Sequence, residues 1–243
     1  LGKSSCAINH VGEAYCWGSN SGGNLGDGTT SDRHVPTLVS GGHSFQRISV
    51  GKLSLGFTCG ITTTGSAYCW GQNEDGNLGD GTTTDRLIPT LVTGNHTFID
   101  IDAGSAFACA KNLSNQLFCW GFNNDGRLGD NTLVSKSNPT LVSGGYQFLD
   151  FSLGRHVCAV TTSNNTLCWG PNFYGQLGNG STTNSQIPVV ISGNHLFSQI
   201  STGGYHSCAS ITGAIYCWGS NSNGQIGDGT TTDRHVPTPV PSW

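Results

Sequence analysis

CWGQNEDGNLGDGTTTDRLIPTLV, residues 69–92, is the stretch on which the architecture turns. A cysteine–tryptophan pair opens it, glycines break it at 71, 76, 79 and 81, and an apolar run around Pro89 closes it. Glycines at such density need positive φ and leave the loop to be held by its Asn and Asp side chains. The same stretch recurs along the chain. Trp of the CWG tag stands at 17, 70, 120, 169 and 218, and the Pro that follows stands 19 residues later in all five copies, at 36, 89, 139, 188 and 237. The connecting loops read GSNSGGNLGDGTT, GQNEDGNLGDGTT, GFNNDGRLGDNTL, GPNFYGQLGNGST and GSNSNGQIGDGTT. A repeat near 50 residues in length signals a solenoid, propeller or array.

Each unit holds four short segments with period-two alternation: a PTLV run, an F-x-x-I or F-x-x-F run, a strand carrying the first Cys, and the CWG strand. Four strands per unit is the count of a propeller blade, and no Gly-free window carries a 3.6-residue apolar period. The expected fold is therefore all-β: a β-propeller of five four-stranded antiparallel blades, at about 35–71, 88–121, 138–170, 187–219, and 236–243 with 1–18. In the last of these, strands from the two termini pair and close the ring. The start, LGKSSCAI, aligns with LGRHVCAV at 153–160, and the end, HVPTPVPSW, supplies the first strand of a unit. Trp243 would stand in for the missing Phe of that blade; otherwise a longer chain or a neighbouring subunit supplies the strand.

The ten cysteines pair as Cys6 with Cys16, Cys59 with Cys69, Cys109 with Cys119, Cys158 with Cys168, and Cys208 with Cys217. A separation of ten places the members of a pair opposite each other across an antiparallel hairpin with a three-residue loop. The last loop residue, Gly12, Gly65, Asn115 or Asn164, is then left-handed. In the fifth pair the separation is nine, and a two-residue loop, Thr212 and Gly213, restores the arrangement. Opposed residues at non-hydrogen-bonded sites are close enough for a disulfide, and five bridges imply an oxidising compartment and an extracellular or cell-surface location. Packed thiols are the competing reading. Zinc is disfavoured by the spacing, and although His156 and His206 precede a Cys by two positions, other copies have Phe57, Phe107 and Ser4 there.

Charged residues make up 10% of the 243, 37 are Gly, and the net charge is −4. Ten dispersed Lys and Arg give no footprint for nucleic acid, and no run of about 18 apolar residues exists to span a membrane. The absence of Met, with Leu at position 1, fits a processed product or a fragment. Sequons at Asn95, Asn112, Asn164 and Asn179 would permit N-glycosylation.

The pattern W-G-x-N-x-x-G-x-L-G, with its following Pro and Cys-Ala strand, resembles the regulator of chromosome condensation repeat over essentially the whole chain. The resemblance implies a β-propeller. Relatives include a nucleotide-exchange factor for a small GTPase, a plant photoreceptor and bacterial inhibitors, so function is not implied with the fold. The best-known members have seven blades, whereas five repeats occur here. The sole insertion, Lys52 to Leu55, is too short to be the wedge through which the exchange factor is understood to act.

No nucleophile–base pair, carboxylate pair or cofactor motif appears, and the expectation is a non-enzyme without cofactor or metal. The recurring Asp27, Asp80, Asp130 and Asp228, with Asn179 in the fourth copy, fit turn caps better than calcium ligands, having no second acid beside them. Specificity is expected at the variable loop positions, with Glu74, Asp75, Phe122, Phe173 and Tyr174 as the candidate interaction surface. The functional expectation is a secreted or surface scaffold that binds a protein or itself, within a larger or filamentous assembly. A multivalent lectin that stacks a glycan on the aromatic rings is the alternative.

Overall fold

The computed structural model describes residues 4–52 and 56–241, and among these it holds nineteen strands and no helix. Two compact units divide the chain. In the first, Leu1–Asn123 with Val134–Leu141, β1 (Ser4–Ile8), β2 (Ala14–Gly18) and β3 (Arg33–Leu38) form a three-stranded sheet. Four-stranded sheets follow from β4 (Phe45–Val50), β5 (Phe57–Thr62), β6 (Ala67–Gly71) and β7 (Arg86–Leu91), and from β8 (Phe98–Ala103), β9 (Phe107–Asn112), β10 (Leu117–Gly121) and β11 (Lys136–Leu141). The second unit, Asn124–Leu133 with Val142–Trp243, holds two more. These are β12 (Phe148–Leu153), β13 (Val157–Thr161), β14 (Thr166–Gly170) and β15 (Ser185–Val190), then β16 (Gln199–Thr202), β17 (His206–Ile211), β18 (Ala214–Gly219) and β19 (Arg234–Pro239). All pairs are antiparallel and join consecutive strands, as in a propeller blade.

Five sheets match the expected count, but the strands are shared out differently. The PTLV run does not begin a blade; it ends one. In each sheet it pairs with the CWG strand before it, Cys16 facing Thr37 and Gly18 facing Arg33 in the first, with a bulge at Trp17. The fixed 19-residue interval is the reason, because the Gly-rich loop turns the chain back beside the strand it has just left. The blade limits 35–71, 88–121, 138–170 and 187–219 therefore shift by one strand. The blade expected from 236–243 with 1–18 is likewise corrected. β19 is the outer strand beside β18, and β1 and β2 are completed by β3. Trp243 and residues 1–3, and residues 53–55 of the short insertion, lie outside the described residues.

The hairpins follow the expectation closely. Gly12, Gly65, Asn115 and Asn164 have φ of 90°, 86°, 58° and 62°, and Gly213 in the shorter loop has 79°. Each Cys faces its partner in register at a Cα separation of 4.1 Å, and all five disulfides are formed. In the first unit one apolar cluster joins Phe57, Ile61, Leu78, Phe98 and Trp120, and another joins Leu25, Phe45 and Trp70. Leu177, Phe197 and Trp218 do the same in the second. Full burial of an aromatic side chain of this size removes the largest apolar area that any residue type offers.

Candidate functional site

The constant loop residues are spent on structure. Asn73 is fully buried; its Oδ1 accepts from the Leu78 amide, and its Nδ2 donates to the carbonyls of Thr82 and Thr84. Asn20, Asn172 and Asn221 make the same set. One side chain thus satisfies three backbone groups of a loop too irregular to pair them itself. The Asp residues brace its far end. Asp80 accepts from the Thr82 amide and hydroxyl and forms an ion pair with Arg86 at 2.7 Å. Burial raises its pKa, but the hydrogen bonds from Thr82 and Arg86 outweigh that and hold the carboxyl below its ordinary value. These residues cap turns. Among the described residues no three His, Cys, Asp or Glu side chains converge on a metal site.

Four of the five loops are then clamped by the Trp that follows them. Trp70 Nε1 donates to the Asn24 carbonyl at 3.0 Å and Trp120 Nε1 to that of Asn77 at 3.1 Å; Trp169 and Trp218 reach Arg127 and Gln176 likewise. The glycine after the Leu is required by this contact. A Cβ on Gly26, where φ is +71°, would stand 2.6 Å from Trp70 Nε1. The loop tip also donates to an outer strand, Gly28 to the Leu87 carbonyl and Gly180 to that of His235, which occupies acceptors on an otherwise open edge.

What remains for recognition is the set of positions that vary, and in the second unit they converge. Phe173 is 67% and Tyr174 39% exposed. Together with Asp125, Arg127, Arg155 and Tyr205, and with Pro171 at the base, they line a cleft of about 150 Å³. The Tyr174 and Tyr205 rings meet edge to face at 5.1 Å, and the Arg155 guanidinium lies over Tyr205 at 4.7 Å from the ring centre. Asp125 is ion-paired with Arg127. A larger, shallower depression of about 390 Å³ near Asp150 and Cys208 has its single carboxylate engaged by the Ile200 amide.

Of the five expected surface residues, Phe173 and Tyr174 therefore meet in this cleft. Glu74 (exposed), Asp75 and Phe122 (both half-buried) belong to the first unit. Arg155 and Tyr205 were missed. They occupy the position three before the first Cys of a pair, where the other copies have Lys3, Gly56 and Ala106, and that variation was a usable signal. The buried His156 serves packing, its Nε2 2.6 Å from Ser207 Oγ. Burial pushes the half-buried His206 below the ordinary imidazole range. Among the sequons, Asn95 and Asn164 are exposed, whereas Asn112 and Asn179 are half-buried and their side chains hold local turns.

The family model of the regulator of chromosome condensation (RCC1) repeat matches residues 11–53, 64–110, 114–161, 164–210 and 212–242. A stretch of 95 residues is 40% identical to the ultraviolet-B receptor UVR8 of Arabidopsis thaliana, covering 38% of this chain and 21% of that protein. Human WBSCR16 shares the fold at a TM-score of 0.84 and 22% identity, over 99% of this chain and 65% of that one. Yeast RCC1 (Prp20), solved with Kap60 bound, does so at 0.85 and 19%, over 99% and 59%. The chain thus spans about a fifth of UVR8's length and under two thirds of either solved propeller.

Proposed function

The chain belongs to the RCC1-repeat family, and from that premise we propose that it is a non-enzymatic interaction scaffold working in an oxidising, extracellular or cell-surface setting. The observation that carries the reading is the division of labour within the repeat. Constant Asn, Asp, Gly and Trp residues are consumed in holding loops and clamping them together, and in the second unit side chains that vary, with Phe173 and Tyr174 exposed, line a cleft. Protein binding is also what the yeast relative's complex with Kap60 exemplifies. Five disulfides favour the secretory route. Thiol titration of the protein taken from its natural host tests this: no titratable thiol is expected, and ten would refute the location.

Self-association is supported by apolar side chains left exposed on outer strands, Leu38, Leu91 and Leu141 in the first unit and Val190 in the second. Sedimentation at rising concentration should show assembly, and a strict monomer argues against it. The lectin reading draws on the exposed rings of Phe173 and Tyr174, and a blank glycan array removes it. Glycosylation is proposed at Asn95 and Asn164, where a glycan disturbs the fewest bonds.

A further inference from the structure

Resting on the reading of the chain as an interaction scaffold, we propose that the Arg155 cleft captures the carboxylate of an acidic residue in a partner peptide. Arg155 is the unsatisfied cation of the second unit's surface. Among the described residues it forms no ion pair, and its Nε is shielded from water without a hydrogen-bond acceptor. The stack on Tyr205 does not supply one, because a ring face attracts the flat of the guanidinium and leaves its in-plane donors to seek oxygen. Asp125 cannot, being held by Arg127. Two arginines against one aspartate leave the cleft one positive charge, in a protein whose net charge is −4.

A carboxylate is the ligand group that answers this vacancy, since its two oxygens match the fork of guanidinium donors. The site is also pre-ordered. Tyr174 buttresses Tyr205, Tyr205 fixes the plane of Arg155, and the backbone amide of Tyr174 is itself tied to Gln176 Oε1. Little side-chain entropy is then lost when a ligand binds. The cleft, about 150 Å³ against about 30 Å³ for a water in the liquid, has room for one short acidic side chain. Phe173, projecting from the rim, offers an apolar contact to a neighbouring residue of the same peptide. A sugar is the poorer match. Reading several hydroxyls takes amides and free carboxylates, and the lining has no Asn or Gln and no unpaired acid.

Selection of a random linear-peptide display library on the intact chain tests the assignment. The expected winners carry Asp or Glu beside an apolar residue. Changing that acid to its amide in a synthetic winner should weaken binding about tenfold to a hundredfold. Arg155→Ala should do the same, Arg155→Lys should recover part of the loss, and Tyr205→Ala should fall between. Should Arg155→Ala not fold, the acid-to-amide comparison on the unaltered protein decides alone. Winners without an acid, or winners indifferent to Arg155, overturn the cleft while leaving the scaffold reading intact; a library that yields no binder counts against both. Binding of a sialylated glycan that Arg155→Ala abolishes would transfer the site from peptide to sugar and overturn the proposal.

Discussion

The β1–β3 and β4–β7 sheets are written in the same motif, yet their tryptophans live differently. Trp70 is fully buried, its indole N–H is bonded to the Asn24 carbonyl, and Phe45 lies 5.8 Å away. Trp17, at the equivalent position, is half-buried and meets no acceptor among the described residues. β5 runs between two strands, whereas among the described residues β1 pairs with β2 alone. Disulfide, hairpin and Asn-centred loop are nonetheless alike in both. What a repeat makes within itself is complete in each copy; what its Trp receives comes from the loop of the repeat before it. Such proteins draw stability from repeat-internal and nearest-neighbour terms, and these two sheets separate them.

The sharpest way to break the comparison is to remove the indoles. Trp70→Ala should cost roughly 3–5 kcal/mol, the range for large aromatic truncations in a core, whereas Trp17→Ala should cost about 1–2 kcal/mol. Urea titrations of both variants measure it. Equal losses would mean that the neighbouring loop adds nothing. Next in size is the loop itself. Asn73→Ala removes the partners of three backbone groups and should cost roughly 2–4 kcal/mol. Asn20→Ala should cost the same, because its bonds are equally internal to one repeat. A much smaller loss at Asn20 would make the loop, too, dependent on its neighbour.

This same boundary separates what was legible in the sequence from what was not. The left-handed Gly12, Gly65, Asn115 and Asn164 and the opposed cysteines could be read directly, since spacing within a hairpin fixes its register. The membership of the PTLV strand could not, because counting from Pro hides which strand the loop returns to. The acceptor for each of Trp70, Trp120, Trp169 and Trp218 is a backbone carbonyl, which leaves no trace in residue identity. At the cleft, Phe173 and Tyr174 were visible as departures from a constant loop. Arg155 and Tyr205 lie outside that loop, and only folding brings them beside Tyr174.

Smaller effects come from the disulfides. Loop closure predicts about 2–3 kcal/mol for a bridge spanning ten residues, so replacing both cysteines by Ser should cost the same at Cys6–Cys16 as at Cys59–Cys69. Their exposure differs, however. Cys6 and Cys208 are partly accessible, while both sulfurs of the 59–69, 109–119 and 158–168 bridges are fully buried. Under a mild reductant with alkylation, mass mapping should label the first and fifth pairs ahead of the inner three. Uniform labelling would show that access is governed by global unfolding.

The smallest effect is acid sensitivity, and it too should be alike in the two sheets. Burial works against ionisation of Asp27 and Asp80, but hydrogen bonds from Thr29 and Arg33, and from Thr82 and Arg86, leave both carboxyls below the ordinary 3.8. Asp228 is lowered to about 2, chiefly by the Thr230 hydroxyl, with Arg234 helping against a burial penalty. Since each folded value lies below the unfolded one, the carboxylates contribute stability above about pH 4 and lose it as the pH falls toward 2. The urea midpoint should therefore drop between pH 5 and pH 2, and Asp228→Asn should flatten that drop. Asp27→Asn and Asp80→Asn should each flatten it by a similar amount, because both braces close within one loop. The fourth loop supplies the control. Asn179 keeps the Ser181 bonds without a charge, and Ser185 stands where the first, second and fifth loops have Arg33, Arg86 and Arg234. Asn179→Asp should accordingly steepen the acid limb by less than Asp228→Asn flattens it; an equal change would mean that the guanidinium is dispensable and the Thr or Ser bonds alone set the titration.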